Sequence, residues 1–272
     1  MAYNFSSIFN TLQILQYLVD INNFLYKIVV CKKGVQVNKK QIDFEIRPIF
    51  QPSDEICKMF ADIDIACGSS DEPDLRLLCR NLDKEYLKIW NQEKNVFAFA
   101  AYKSEEIIGF TTGFLRGKNI FTNALYVIPE YQGYGIGSKL LNTAECASSF
   151  VAQNMELFPL GGSFGFYQNR GYKNVLVLGR IKKVKELQKT SGVIPVFQWC
   201  PQMQTKLNVK FDTDLLKQKY QPIFVYVNGQ QQIDGVAIRM QNGKNKVAVN
   251  TGKKTLSEYC KQELVNALSR SL

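Results

Sequence analysis

Apolar residues in this chain recur in two rhythms, and the changes of rhythm mark out its elements. Ile8, Leu12, Leu15 and Val19 fall three or four residues apart, which places them on one face of an amphipathic helix. Residues 44–49 alternate apolar and polar positions as a half-buried strand does, and Pro52-Ser53-Asp54 then opens a helix. A helical period returns over residues 75–90. Three β-rich runs follow, at 96–102, 107–115 and 120–127, with turns at 103–106 and at Gly117-Lys118-Asn119 between them. Next come a helix over 136–151, a short strand at 155–159, a short helix at 164–169 and a strand at 173–180. Farther on, the runs 223–227, 233–240 and 246–249 are joined by Asn228-Gly229 and Asn242-Gly243. These dipeptides favour hairpin turns, so the pattern predicts a three-stranded meander. A helix over 256–268 follows it.

Three regions emerge: a helical extension at 1–43, one α/β unit at 44–180, and a small α+β region, a meander plus a helix, at 181–272. The formal charge divides along the same lines. The net +10 of the chain splits into +3 over residues 1–43, −2 over 44–180 and +9 over 181–272. A basic segment suits an anionic macromolecular partner such as RNA, and a solvated lysine-rich surface is the plainer alternative. Alternating Ile, Val and Phe runs argue that 181–272 is ordered. Its charge beside a near-neutral core predicts a folded element next to the acceptor side of the site described below.

The chain has no histidine. That excludes a Ser-His-Asp triad, a Cys-His pair and every histidine-containing metal site. Seven cysteines, at 31, 57, 67, 79, 146, 200 and 260, form no CxxC pair. An odd, irregular set of this kind predicts reduced thiols in a cytoplasmic protein, with no metal. Residues 1–19 carry no charged side chain, yet Asn10, Gln13 and Gln16 interrupt the apolar stretch. Neither a signal peptide nor a membrane span is expected there.

The chemistry concentrates between residues 127 and 141, where a strand ends, a glycine-rich turn follows and a helix starts. Gly133, Gly135 and Gly137 allow backbone N–H groups to approach a ligand closely. The helix N-terminus adds unpaired donors and a partial positive charge, so the segment suits a pyrophosphate. The spacing differs from the GxGxxG of dinucleotide folds, and no GK[ST] follows as in a nucleotide-triphosphate loop.

The segment resembles the [Q/R]-x-x-G-x-[G/A] motif of the GNAT acetyltransferase superfamily, through Gln132, Gly135 and Gly137 with Val127, Pro129, Tyr131 and Gly133 around them. Two further segments resemble the family. Ile46-Arg47-Pro48-Ile49 with Pro52-Ser53-Asp54 is similar to its first strand and helix, and Phe166-Tyr167 with Gly171-Tyr172 is similar to its FYxxxGF segment. The resemblance implies a mixed, mostly antiparallel central sheet flanked by helices over 44–180. It also implies acetyl-CoA as co-substrate and transfer of the acetyl group to an amine acceptor.

Residue by residue, it implies that the backbone of Gln132, Gly133, Tyr134, Gly135, Ile136, Gly137 and Ser138 holds the CoA pyrophosphate. Main-chain groups of Leu125 and Val127 would hold the thioester and pantetheine, with the Leu125 N–H as oxyanion donor. Tyr167 falls where the family places a general acid, and packing of the short helix on the sheet is the alternative role for its ring. The glutamate that some members carry on the fourth strand is missing from residues 120–124. Glu130 is expected to face solvent. Proton removal is therefore left to water, with Tyr126, Asn123 or a distant acid as candidates. In the family the segment between the first two helices often borders the acceptor site, so Asp62, Asp64, Asp71, Glu72 and Asp74 would favour a cationic amine, with a solvated acidic loop as the plainer alternative. A catalytically silent, CoA-binding scaffold and an RNA-directed protein are the competing functions, and a homodimer is an open arrangement.

Overall fold

The computed structural model describes residues 42–51, 53–68, 97–159, 163–218, 221–250 and 254–271. The expected extension at 1–43, apart from its last two residues, and the expected helix at 75–90 lie outside the described residues.

Strand β1 (Glu45–Pro48) leads to helix α1 (Asp54–Gly68). Strands β2 (Phe97–Lys103), β3 (Glu106–Arg116) and β4 (Asn119–Val127) then form a meander. Helix α2 (Ile136–Ser148), strand β5 (Asn154–Leu157), the short helix α3 (Phe164–Gln168) and strands β6 (Lys173–Val177) and β7 (Arg180–Glu186) follow. These strands build one seven-stranded sheet in the order β1-β2-β3-β4-β5-β7-β6. Only β4 and β5 pair in parallel; every other pairing in this sheet is antiparallel. This is the mixed, mostly antiparallel sheet flanked by helices that the sequence implies.

Both faces of the sheet are covered, so β2 and β3 are apolar almost throughout instead of alternating with polar residues. Ala98 and Ala100 face α1 with Phe110, and there the Phe60 and Phe110 rings stack at 4.0 Å. Phe97, Phe99 and Ala101 face α2, against Ile136, Leu140, Leu141 and Ala144. The alanines let α1 approach closely, and the phenylalanines fill the wider gap under α2.

The structure corrects the strand expected at 173–180, which is two strands. Leu178 and Gly179 have φ of +47° and +75°, so the chain reverses there in a two-residue turn that returns as β7. Strand β7 lies between β5 and β6, and the sheet therefore continues past residue 180 to Glu186.

The C-terminal strands are β8 (Gly192–Val196), β9 (Ile223–Val227), β10 (Ile233–Arg239) and β11 (Asn245–Val249), and helix α4 (Pro201–Gln204) falls after β8. They form a four-stranded sheet in the order β11-β10-β9-β8, so the expected three-stranded meander gains β8 as an edge. Helix α5 (Lys254–Ser269) covers one face through Cys260, Leu264 and Leu268. Neither Asn-Gly step makes a two-residue turn. The first widens into a loop closed by Asn228 N–H donating to Gln232 O at 2.9 Å. In the second, Met240 N–H donates to Lys244 O at 2.8 Å across three residues.

A chain of rings joins the two sheets: Phe197 contacts Phe99 at 5.3 Å and Phe50 at 5.1 Å, and Phe50 contacts Phe224 at 5.4 Å. Phe150, just past α2, enters the core of the small sheet with Ile194, Val196 and Met203. Pro48, at the end of β1, lies level with Phe99, Thr111 and Leu125 across the sheet, and Phe50 follows it. The C-terminal region thus packs on β2 through Phe197 and on the end of α2 through Phe150.

Candidate active site

Strand β4 is paired with β3 along its length, but with β5 only through Asn119, Ile120 and Phe121. Past Phe121 the two parallel strands diverge, and among the described residues no strand pairs with that edge of β4. The direction of the free groups follows from alternation along the strand. Ile128 N–H donates to Ile108 O at 3.0 Å, and Ala124 O accepts from Thr111 Oγ1 at 2.9 Å, so residues 124, 126 and 128 direct their peptide groups to β3. Leu125 and Val127 therefore aim theirs into the gap. Gln132 Nε2 at 2.9 Å and Cys67 Sγ at 3.1 Å both donate to Val127 O. The Val127 carbonyl is thus committed within the protein, while its N–H stands on the open edge.

The chain leaves β4 through a 3₁₀ turn at Pro129–Tyr131, closed by Gln132 N–H donating to Pro129 O at 3.1 Å. Gln132 therefore contributes to the site by fixing the loop with both its N–H and its side chain. Gly135 caps α2 in the left-handed region, at φ +83° and ψ 0°, where a side chain is strained. Lys139 makes the first helical bond back to Gly135 O at 3.0 Å. The N–H groups of Ile136, Gly137 and Ser138 precede it and have no acceptor within the helix. Gly133 is also left-handed, at φ +81°. Tyr134 is half-buried beside the core under α2. Glu130 is exposed, as expected.

Tyr167, on α3, is 7% exposed and packs edge-on against Phe166 at 5.0 Å and Tyr172 at 5.5 Å. Both roles considered for it are compatible with this place: its ring belongs to the core under α2, and no described residue hydrogen-bonds its hydroxyl. Burial pushes the phenol well above its ordinary pKa, with Arg170 pulling weakly the other way, so the group keeps its proton across the neutral range.

Two features escape the sequence. Arg170 lies 3.8 Å over the Phe166 ring, donates to Phe166 O at 3.0 Å and bonds Ser138 Oγ, which brings a guanidinium to the first turn of α2. On the other side of β4, the Tyr126 hydroxyl faces Asp64 on α1. Desolvation first, and then the Asp64 charge, raise this phenol well above its ordinary value. The only trace of the pair in the sequence is a carboxylate at 64 on the stripe of α1 that also carries Cys57, Phe60 and Cys67. Asn123 is committed elsewhere, its Oδ1 accepting from Thr112 Oγ1 at 2.9 Å. Asp62 is exposed, and Asp71, Glu72 and Asp74 lie outside the described residues. Among the described residues no cluster of three or more Cys, Asp or Glu is placed to hold a metal, and no described helix is long and apolar enough to cross a membrane.

Residues 94–174 match the family model for the acetyltransferase (GNAT) domain. No curated protein matches the chain. Among solved structures, the chain is similar to the PaiA N-acetyltransferase of Thermoplasma acidophilum in complex with coenzyme A, at 20% identity and a TM-score of 0.46, over 53% of this chain and 99% of that one. It is also similar to an aminoglycoside 6′-N-acetyltransferase complexed with coenzyme A, at 17% identity and a TM-score of 0.44, over 54% and 98% of the two chains. An acetyltransferase from Thermus thermophilus shares 13% identity, with a TM-score of 0.43 over 55% and 100%.

Proposed function

We infer that this chain, whose residues 94–174 carry a GNAT acetyltransferase domain, transfers an acetyl group from acetyl-CoA to a primary amine by direct attack in a ternary complex. One juxtaposition carries the inference. The open edge of β4, with Leu125 and Val127 on it, runs straight into the left-handed Gly135 turn that starts α2. A Cβ built on Gly135 would meet no atom within 4 Å, so the space in front of these amides is open to a ligand.

The pyrophosphate rests on the N–H groups of Ile136, Gly137 and Ser138, with the turn from Gln132 to Gly135 shaping the cradle. The partial charge at the start of α2 and the Arg170 guanidinium supply positive potential. The pantetheine arm lies along β4 as an added strand, held by Val127 N–H and the Leu125 peptide group. Leu125 N–H then donates to the thioester oxygen and stabilises the oxyanion that forms there. The amine lone pair attacks the carbonyl carbon, the C–S bond breaks, Tyr167 gives its proton to the departing thiolate, and the proton shed by the acylated nitrogen passes through water to restore the phenol. Cys146, Cys200 and Cys260 are free thiols, which supports a reducing, cytoplasmic setting. The +9 of residues 181–272 supports an acidic macromolecule as partner or as carrier of the amine.

A silent CoA-binding scaffold is the second reading. It is favoured by the lack of a carboxylate between 120 and 127. Thiol release from acetyl-CoA, measured against a panel of primary amines, separates the two. Amine-dependent release supports transfer, and tight acetyl-CoA binding with no release for any amine leaves the scaffold.

A further inference from the structure

The β6–β7 hairpin carries most of the large apolar side chains that this chain leaves in water. Among the described residues five such side chains are exposed, and four of them, Val175, Leu176, Leu178 and Ile181, lie in this hairpin. Strand β6 is the outer strand of the large sheet, and among the described residues no strand pairs with its far edge. Leu176 stands opposite Ile181 on one face, and Val175 and Val177 take the other, opposite Lys182 and Arg180. Leu178 occupies the turn at φ +47°, a left-handed position that asparagine or glycine adopts far more easily than leucine. The end of the hairpin is therefore apolar on both faces and at its tip. Cations gather behind it. From Lys173 to Lys185 the chain has five basic residues and no acidic one. Lys182 and Lys185 pair with Glu156 and Glu145 at 3.0 and 2.6 Å. Lys173 and Arg180 have no ion-pair partner among the described residues, and the Arg180 guanidinium lies back over the Phe158 ring at 4.5 Å. Strand β7 is antiparallel to β5, and β5 is parallel to β4, so the tip points toward the end of the sheet where β4 carries Leu125 and Val127.

We propose that this hairpin end docks the protein on the surface of an anionic bilayer. Leu176, Leu178 and Ile181 enter the boundary between headgroups and acyl chains, and Lys173 and Arg180 meet the lipid phosphates. The shape favours a bilayer over another protein strand. A strand added along β6 would pair its peptide groups and still leave Ile181, on β7, and both faces of the hairpin in water. An end that is apolar on two faces and at the tip calls for a partner that surrounds it. The charge fits the same partner, because basic side chains set behind an apolar edge are drawn to anionic headgroups. At about 3.3 Å per residue, the strand from Leu176 to Leu178 spans about 7 Å, the depth of the layer that interfacial anchors occupy. The rest of β6 stays among hydrated headgroups, so its unpaired peptide groups are not carried into hydrocarbon. Three apolar side chains and two cations make a weak, reversible attachment. In the bound protein the end of the sheet that carries Leu125 and Val127 turns toward the membrane. The docking rests on the hairpin alone and does not depend on the acetyltransfer reading.

The test is sedimentation of the full chain with vesicles of phosphatidylcholine alone and of phosphatidylcholine mixed in equal parts with phosphatidylserine. The wild type should pellet with the mixed vesicles and far less with phosphatidylcholine, and added salt should release it. Leu178→Asn should partition about tenfold more weakly. Its melting temperature should stay the same or rise, because asparagine suits the left-handed turn. Leu176→Ser should weaken partition to a similar degree, and it carries the test if Leu178→Asn folds poorly. Lys173→Gln should lower partition about fivefold on the mixed vesicles and leave the phosphatidylcholine result unchanged. Wild-type partition in both leucine variants overturns the proposal. So does a wild type that stays in solution with both kinds of vesicle. A wild type that ignores vesicles and sediments as a dimer, with Leu176→Ser monomeric, overturns it in favour of a second copy of the chain.

Discussion

Gln132 donates its side-chain amide to the Val127 carbonyl at 2.9 Å, which ties the loop before α2 to the last residue of β4. This bond couples the two halves of the site, the strand edge that would hold the thioester and the turn that would hold the pyrophosphate. Gln132→Ala removes it while leaving the 3₁₀ turn closed by the backbone. One such bond contributes about 1 kcal/mol. Acetyl-CoA affinity measured by calorimetry should fall about fivefold, with a smaller effect on thermal stability.

Tyr167→Phe keeps the ring among Phe166, Tyr172 and the core under α2 and removes only the hydroxyl. The turnover number should fall about 10²-fold. The melting temperature should hardly move, since no described residue hydrogen-bonds that hydroxyl. A variant with wild-type turnover and wild-type stability assigns the ring to packing alone.

The raised pKa of Tyr167 sets a sign for the pH dependence. Burial favours the neutral phenol, so its proton-bearing form persists above the ordinary tyrosine value of about 10. On the alkaline side, kcat should therefore not fall below about pH 10 through loss of this acid. A basic limb that falls near neutrality and disappears in Tyr167→Phe would contradict the assignment.

Much of this architecture can be read from the sequence, and the exceptions have physical causes. Strands β2 to β4 and helix α2 stand out because long apolar runs are punctuated by polar turns. The Gly135 turn stands out because a left-handed position selects glycine. The β6–β7 hairpin reads as one strand because Val175, Leu176, Leu178 and Ile181 are apolar and yet exposed, Leu178 at 98%, so the turn between them carries no polar marker. Strand β8 is masked by Pro195, which is tolerated there because β8 is an edge strand and needs fewer N–H donors. The Asp64–Tyr126 and Arg170–Ser138 contacts join distant parts of the chain through the tertiary fold, and no local spacing announces them.

The docking of residues 181–272 gives a stability prediction. A chain ending near residue 181 loses β7, which pairs with both β5 and β6. It would expose two strand edges at once, and it should be insoluble. A gentler probe is Phe197→Ala in the full chain. Phe197 touches Phe50, Phe97 and Phe99 across the two sheets, so its loss should destabilise the protein by about 3 kcal/mol in urea unfolding. Acetyl-CoA affinity should be unchanged, because the rings it touches lie on β2 and just past β1, with β3 between them and the open edge of β4.

The central claim is that the turn at Gly135 and the first turn of α2 hold the pyrophosphate of acetyl-CoA, and calorimetric titration of the wild type against Gly135→Val tests it most directly. Valine must adopt φ near +83° and projects its side chain into the open space before the amides. The wild type should bind acetyl-CoA, and Gly135→Val should bind at least about tenfold more weakly, a loss of about 1.4 kcal/mol, while still unfolding cooperatively. Equal affinities for the two proteins would contradict the account.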